Sequence, residues 1–143
     1  MEEIESLFAT LQRLGEDPTS GVVLQPPAYD RTVRRMQERV RTASQEAMRN
    51  DAMPDDFVAF LRLANGARIK SAWIQPASDV GRELRDFGVT SAVIGGVGTD
   101  AECEYDWRDR RYHLVGLTPA REHLASHGTF AELLVALMRE QGV

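Results

Sequence analysis

The chain has only one cysteine, Cys103, in 143 residues. No internal disulfide can staple it, and a lone thiol fits a reducing compartment. It has no charged-then-apolar leader and no long apolar run. These absences argue against secretion and membrane insertion by the usual signals, so a cytoplasmic location is expected. Positive charge is also short, with seventeen basic against twenty-two acidic side chains and a formal charge of −5. That balance opposes electrostatic binding to nucleic acid and favours a basic or neutral partner. Lysine is nearly missing, Lys70 being the only one. An arginine bias of this kind follows genome base composition as readily as a phosphate site and carries no functional reading. Internal repeats and low-complexity tracts are absent. The length predicts one domain, large enough to bury about 68–70% of its unfolded surface without metal or disulfide help.

What is present is a series of well-punctuated helices. Ile4, Leu7, Phe8, Leu11 and Leu14 keep helical spacing behind the acidic Glu2, Glu3 and Glu5, and Gly15 ends the run, which predicts a helix over Glu2–Leu14. Val22–Leu24, bracketed by Asp17–Gly21 and Gln25-Pro26-Pro27, reads either as a short edge strand or as an extended tie-down. A helix over Asp30–Arg49 places Val33, Met36, Val40, Ala43 and Ala47 on one face. Its other face is rich in arginine, with Arg31, Arg35 and Arg39 spaced by four beside Arg34 and Arg41. That face reads as solvated or as a stripe for an acidic partner. Met53–Gly66 is a complete helix. Pro54 suits the first turn, Asp55 and Asp56 complement the dipole, Phe57, Phe60, Leu61 and Ala64 form the buried stripe, and Asn65-Gly66 stops it.

The second half predicts a sheet. Ile69–Ile74 reads as one strand closed by Gln75-Pro76, Asp79–Phe87 as a short surface helix ended by Gly88, and Val89–Ile94 as the next strand. Gly95-Gly96-Val97-Gly98 reads as a break before a hairpin. The first arm of that hairpin alternates, with Ala101, Cys103, Tyr105 and Trp107 one way and Glu102, Glu104 and Asp106 the other, as in a sheet with one wet face. Turning around Arg108-Asp109 sets Tyr105 opposite Tyr112, Asp106 opposite Arg111 and Glu104 opposite His113; a shift by two keeps the faces and changes the register. Thr118-Pro119 is expected to open a short helix reaching about Ser126. Thr129 and Glu132 form a capping box for a last helix whose stripe is Phe130, Leu133, Leu134, Leu137 and Met138. The expected fold is α+β: a twisted, mainly antiparallel sheet of four to six strands with helices on one side.

Four groupings invite chemistry. Gly96-Val97-Gly98 lacks the third glycine and the following helix that a pyrophosphate loop needs, and reads as a turn. His123 and His127, at i and i+4 on the expected helix, offer two metal ligands, but no third is apparent, so they read as ordinary histidines near a helix C-terminus and no metal or cofactor is expected. Cys103 and His113 project to opposite faces, which leaves the thiol buried and inert. Glu102, Glu104 and Asp106 have no apolar pocket between them to raise a pKa and read as a solvated or partner-facing stripe. No enzyme constellation emerges. A small metal-dependent hydrolase using His123 and His127 is the remote alternative.

Met53-Pro54-x-Asp56-Phe57-x-x-Phe60-Leu61 followed by Asn65-Gly66 resembles the signature of the SUKH superfamily, the SMI1/KNR4-type proteins. Pro26-Pro27-Ala28 is similar to that family's entry to the preceding helix. Ala92–Gly96, Tyr105-Asp106, Tyr112-His113-Leu114 and Thr129-Phe130-Ala131-Glu132-Leu133-Leu134 resemble its YrhA-type branch. The likeness runs in order from Pro26 to Met138, while residues 1–25 supply an N-terminal helix and a connecting segment. It implies the α+β architecture already expected. It also implies a non-catalytic immunity protein that neutralises a cognate toxin by covering its active surface, or alternatively a regulatory or scaffold module. Under that reading the protein is a monomer or weak homodimer, and Glu102, Glu104, Asp106 and Asp109 with Trp107 or Trp73 are the candidate interface. Both tryptophans read equally as core.

Overall fold

The computed structural model describes residues 2–85 and 90–143. In chain order the elements are α1 (Glu2–Gly15), β1 (Val22–Leu24), α2 (Asp30–Glu46), α3 (Asp55–Leu63), β2 (Ala67–Ile69), β3 (Ala72–Ile74), a 3-10 turn (Arg82–Arg85), β4 (Ser91–Val97), β5 (Ala101–Asp106), β6 (Arg111–Gly116), β7 (Glu122–His127) and α4 (Phe130–Glu140). The strands form one antiparallel sheet in sequence order, a seven-stranded meander. The fold is α+β with helices on one side of the sheet, and seven strands replace the four to six expected. No described helix is long and apolar enough to cross a membrane.

The helical stripes enter the core as their spacing requires. Phe57, Phe60 and Leu61 of α3 and Phe130, Leu133, Leu134, Leu137 and Met138 of α4 are buried, as are Val33, Met36 and Val40 of α2. They pack against the inward residues of the sheet, among them Ile69, Ile74, Ala92, Cys103, Tyr105 and Tyr112. Aromatic rings bind the layers together. Phe130 lies 5.3 Å from both Phe57 and Phe60 and 5.7 Å from Tyr112, and Tyr112 lies 5.0 Å from Tyr105. Such tilted and edge-on pairs contribute beyond their buried area.

Asp56 joins three elements through one carboxylate. It accepts from its own helix terminus at Phe57 N (2.8 Å), from Tyr112 Oη on β6 (2.6 Å) and from Phe130 N at the start of α4 (2.7 Å). Asn65 does similar work at the other end of α3. Its N–H donates to the Pro26 carbonyl (2.9 Å) and its Oδ1 accepts from Ala77 N (2.8 Å), while Ala28 N donates to Leu61 O. Gly66 follows at φ +100°, the left-handed region expected of the stop. Half of the predicted capping box of α4 forms, with Glu132 N donating to Thr129 Oγ1, while Glu132 Oε2 accepts from the preceding Gly128 N and not from Thr129 N.

Five local readings are corrected. Ile69–Ile74 is not one strand but the two arms of a tight hairpin, β2 and β3, because Lys70 takes a left-handed conformation at φ 54° and turns the chain. Gly95 and Gly96 do not break the chain but lie within β4. A Cβ on Gly95 would sit 2.2 Å from the Trp73 carbonyl oxygen, and one on Gly96 would sit 2.4 Å from the Ala101 carbonyl oxygen and 2.7 Å from the Trp73 ring. Close approach of neighbouring backbone, not turning, is what requires glycine there. The helix expected over Thr118–Ser126 is replaced by a bend at 118–120 and then β7, whose pairing with β6 overrides its local composition. Of the helix over Asp79–Phe87, residues 86 and 87 lie outside the described residues, and the remainder is turns and the Arg82–Arg85 turn. α2 stops at Glu46, short of Arg49.

Candidate partner-binding face

The face of the sheet away from the helices is legible from its register. Val23, Arg68, Trp73, Gly96, Glu102, Val115 and His123 oppose one another in turn, forming a single row across all seven strands. Val93, Glu104, His113 and Ser126 form a second row, and Ser91, Asp106 and Arg111 a third. The hairpin register is the one that matched acid with base, Glu104 opposite His113 and Asp106 opposite Arg111.

The expected acidic stripe is not uniform. Glu102 is half-buried on this face, but Glu104 and Asp106 are only 7% and 8% exposed. Both are committed to intramolecular partners. Arg121 Nη2 reaches both Glu104 oxygens, 2.6 Å from Oε2. Arg108 donates its backbone N–H to Asp106 Oδ1 and its Nη2 to Oδ2, each at 2.8 Å. Burial pushes the Asp106 carboxyl up, yet these bonds outweigh it and hold the group below the usual aspartate range. The reading of Glu104 and Asp106 as solvated is therefore corrected: arginines two and seventeen residues away fold back over them. Asp109 is exposed at the hairpin end, where it accepts from Arg111 N and His113 Nε2.

The two tryptophans separate. Trp107 packs edge-on to Tyr105 at 5.7 Å, and its Nε1 donates to the Ala52 carbonyl (2.8 Å), so it clasps β5 to the segment before α3. Trp73 lies over Gly96 on the helix-free face, with its Nε1 donating to the Gly98 carbonyl (3.0 Å). Beside it opens a cleft of about 940 Å³ lined by Pro26, Tyr29, Arg68, Trp73, Gln75 and Asp79 among others. Tyr29 is 78% exposed. The cleft leaves no trace in periodicity, because it lies between the Pro26–Tyr29 segment and the β2–β3 hairpin, which is distant in sequence.

The arginine face of α2 is also divided. Arg31, Arg34, Arg35 and Arg41 are exposed, but Arg39 is half-buried and donates to the carbonyls of Ala77 and Val80 at 2.7–2.9 Å. It is corrected from a surface stripe residue to a structural one that holds the Ala77–Val80 segment.

Cys103 is buried on the helix side and His113 lies on the other, as the alternation required. Burial, then the charges of Glu140, Glu104 and Glu102, push the thiol up to about 12. Burial and the bond to Asp56 likewise drive Tyr112 far above the ordinary phenol range. In both groups the folded state keeps a proton that the unfolded chain loses near pH 8.5 or 10. Their contribution is whole below those values and falls as pH rises past them. Melting temperature should therefore decline above about pH 8.5 and more steeply above about pH 10. A thiol reagent at pH 8 should leave native Cys103 unlabelled and label it fully in denaturant; rapid native labelling would contradict its burial.

The chain matches no family model, no curated protein and no solved structure.

Proposed function

We propose that this chain is a non-catalytic immunity protein that binds a cognate bacterial toxin domain through the helix-free face of its sheet, in the cytoplasm, and occludes the toxin's active surface. The observation that carries the reading is the division of labour between the two sides of the molecule. Among the residues that resemble the SUKH signature, Asp56, Tyr112 and Phe130 tie α3 to the sheet and to α4, and Pro26, Ala28 and Asn65 tie the end of α3 to the segments before α2 and after β3. The opposite side carries an exposed arginine and a half-exposed tryptophan, Arg68 and Trp73, in adjacent strands beside an open cleft, with the half-buried Glu102 in the same row across Gly96 of β4. Tryptophan, tyrosine and arginine are the side chains that most often anchor protein interfaces. Glu104, Asp106 and Asp109 on that side are engaged by neighbouring arginines or by His113, which supports binding over proton transfer.

In a surface of this kind the anchor sets the lifetime of the complex and the rim charges set the encounter rate. Trp73→Ala should weaken toxin binding by at least about 30-fold, corresponding to a hot-spot loss of roughly 2 kcal/mol. Glu102→Lys should slow association with a basic toxin surface and reduce its salt dependence, while leaving dissociation nearly unchanged. Glu102 is the proper site for this reversal, because reversing Glu104 or Asp106 would break a buried pair and unfold the hairpin locally. Surface plasmon resonance on folded variants reads both effects. Wild-type rates in both variants would remove this face as the contact surface. Co-purification with a constitutive partner and no toxin would favour the scaffold reading.

A further inference from the structure

We propose that His113 and His123 form a binding site for one zinc-type divalent ion on the β6–β7 edge of the sheet, with Asp109 orienting the first of them. His123 and His127, the pair that sequence spacing suggested, are not partners. They lie on opposite faces of β7, and His123 meets His113 instead.

A β-bulge produces that meeting. Tyr112 opposes His127 and Leu114 opposes Ala125, both on the helix side, and an unbroken ladder would have kept His123 on that side too. The register shifts between Leu114 and Val115, leaving Leu124 unpaired and turning His123 onto the face of His113. Bulges that re-aim a side chain in this way recur beside functional sites.

The geometry of the pair suits chelation. His113 Nδ1 and His123 Nε2 face each other at 3.0 Å, with the rings inclined at 64°. Two imidazole nitrogens each about 2.0–2.1 Å from a tetrahedral ion stand about 3.3 Å apart, so an opening of a few tenths of an ångström admits the ion in place of the shared proton. Asp109 Oδ2 lies 2.8 Å from His113 Nε2. A carboxylate there fixes the proton on Nε2 and leaves Nδ1 bare, the arrangement by which carboxylates orient metal-binding histidines. Asp106 adds negative charge close by, since its carboxylate, that of Asp109 and a His113 nitrogen fall within 4.8 Å of one another. Arg108 holds Asp106 in place, so it acts as a neighbour and not as a ligand. Two imidazoles select zinc, copper or nickel over magnesium or calcium, and water fills the remaining positions.

The test is a competition titration of the purified full chain against a chromophoric zinc indicator at pH 7.5, with circular dichroism to confirm folding. One equivalent of zinc should bind saturably, with no competition from magnesium. His123→Ala should abolish binding, His127→Ala should leave it intact, and Asp109→Asn should weaken it about 10- to 100-fold. Absence of zinc binding in the wild type, or equal binding by wild type and His123→Ala, would overturn the site. Zinc binding and toxin binding are read separately, the Trp73 and Glu102 variants reporting the second.

Discussion

Asp56→Ala is expected to destabilise the protein by about 3–5 kcal/mol, because it strands two buried donors at once and each orphaned donor costs about 1–3 kcal/mol. The Tyr112 hydroxyl and the Phe130 N–H both end on the Asp56 carboxylate, and Tyr112 is only 1% exposed. Water therefore cannot readily replace the lost acceptor. The loss of the bond to Phe57 N adds a smaller helix-terminal contribution. Asp56→Asn keeps one good acceptor and should fall between wild type and alanine. Urea denaturation of the singles and of Asp56→Ala combined with Tyr112→Phe measures the coupling directly. An interaction energy indistinguishable from zero would mean that the clamp contributes nothing.

Phe60→Ala should cost about 3–5 kcal/mol by leaving a cavity between α3 and α4. Phe60 has no exposure and its ring touches Phe130 at 5.3 Å, the ring that also contacts Phe57 and Tyr112. Collapse of the site would have to move a shared aromatic, so relaxation can recover little of the loss. A measured cost below about 1 kcal/mol in chemical denaturation would contradict the packing described.

These two residues come from the part of the chain where sequence and structure agree best. α1, α3 and α4 announce themselves because periodicity, caps and terminal charges all point the same way. The faces of the β5–β6 hairpin are legible from alternation, whereas its register, which a shift by two would leave equally alternating, is fixed by the structure. Asp56 reads in the sequence only as a helix-dipole acid. Its long-range partners, Tyr112 and Phe130, lie 56 and 74 residues away and no local pattern joins them.

The misread segments share a physical cause. Each depends on a contact remote in sequence that outweighs local preference. Glu122–His127 has helical composition, yet the free edge of β6 recruits it as a strand. Lys70 turns a hairpin without the Asn-Gly or Gly that normally marks one. Gly95 and Gly96 look like a break because only the neighbouring strands reveal what a side chain would strike. The candidate face was legible in part. Alternation placed Glu102, Glu104 and Asp106 together on one side, but nothing local showed that Arg108 and Arg121 return to cover two of them. Trp73 and Trp107 were interchangeable in the sequence. The fold assigns one to the open face and the other to an internal clasp.

The most direct measurement of the central claim is an inhibition titration against a candidate cognate toxin domain. Purified protein is added to a fixed amount of the toxin domain while the toxin's own activity is followed. Neutralisation by occlusion predicts a linear fall in activity to its floor at one equivalent, a stable complex on size-exclusion chromatography, and a weakening of both with Trp73→Ala. Undiminished toxin activity at a stoichiometric excess, with the two proteins eluting separately, would contradict the account.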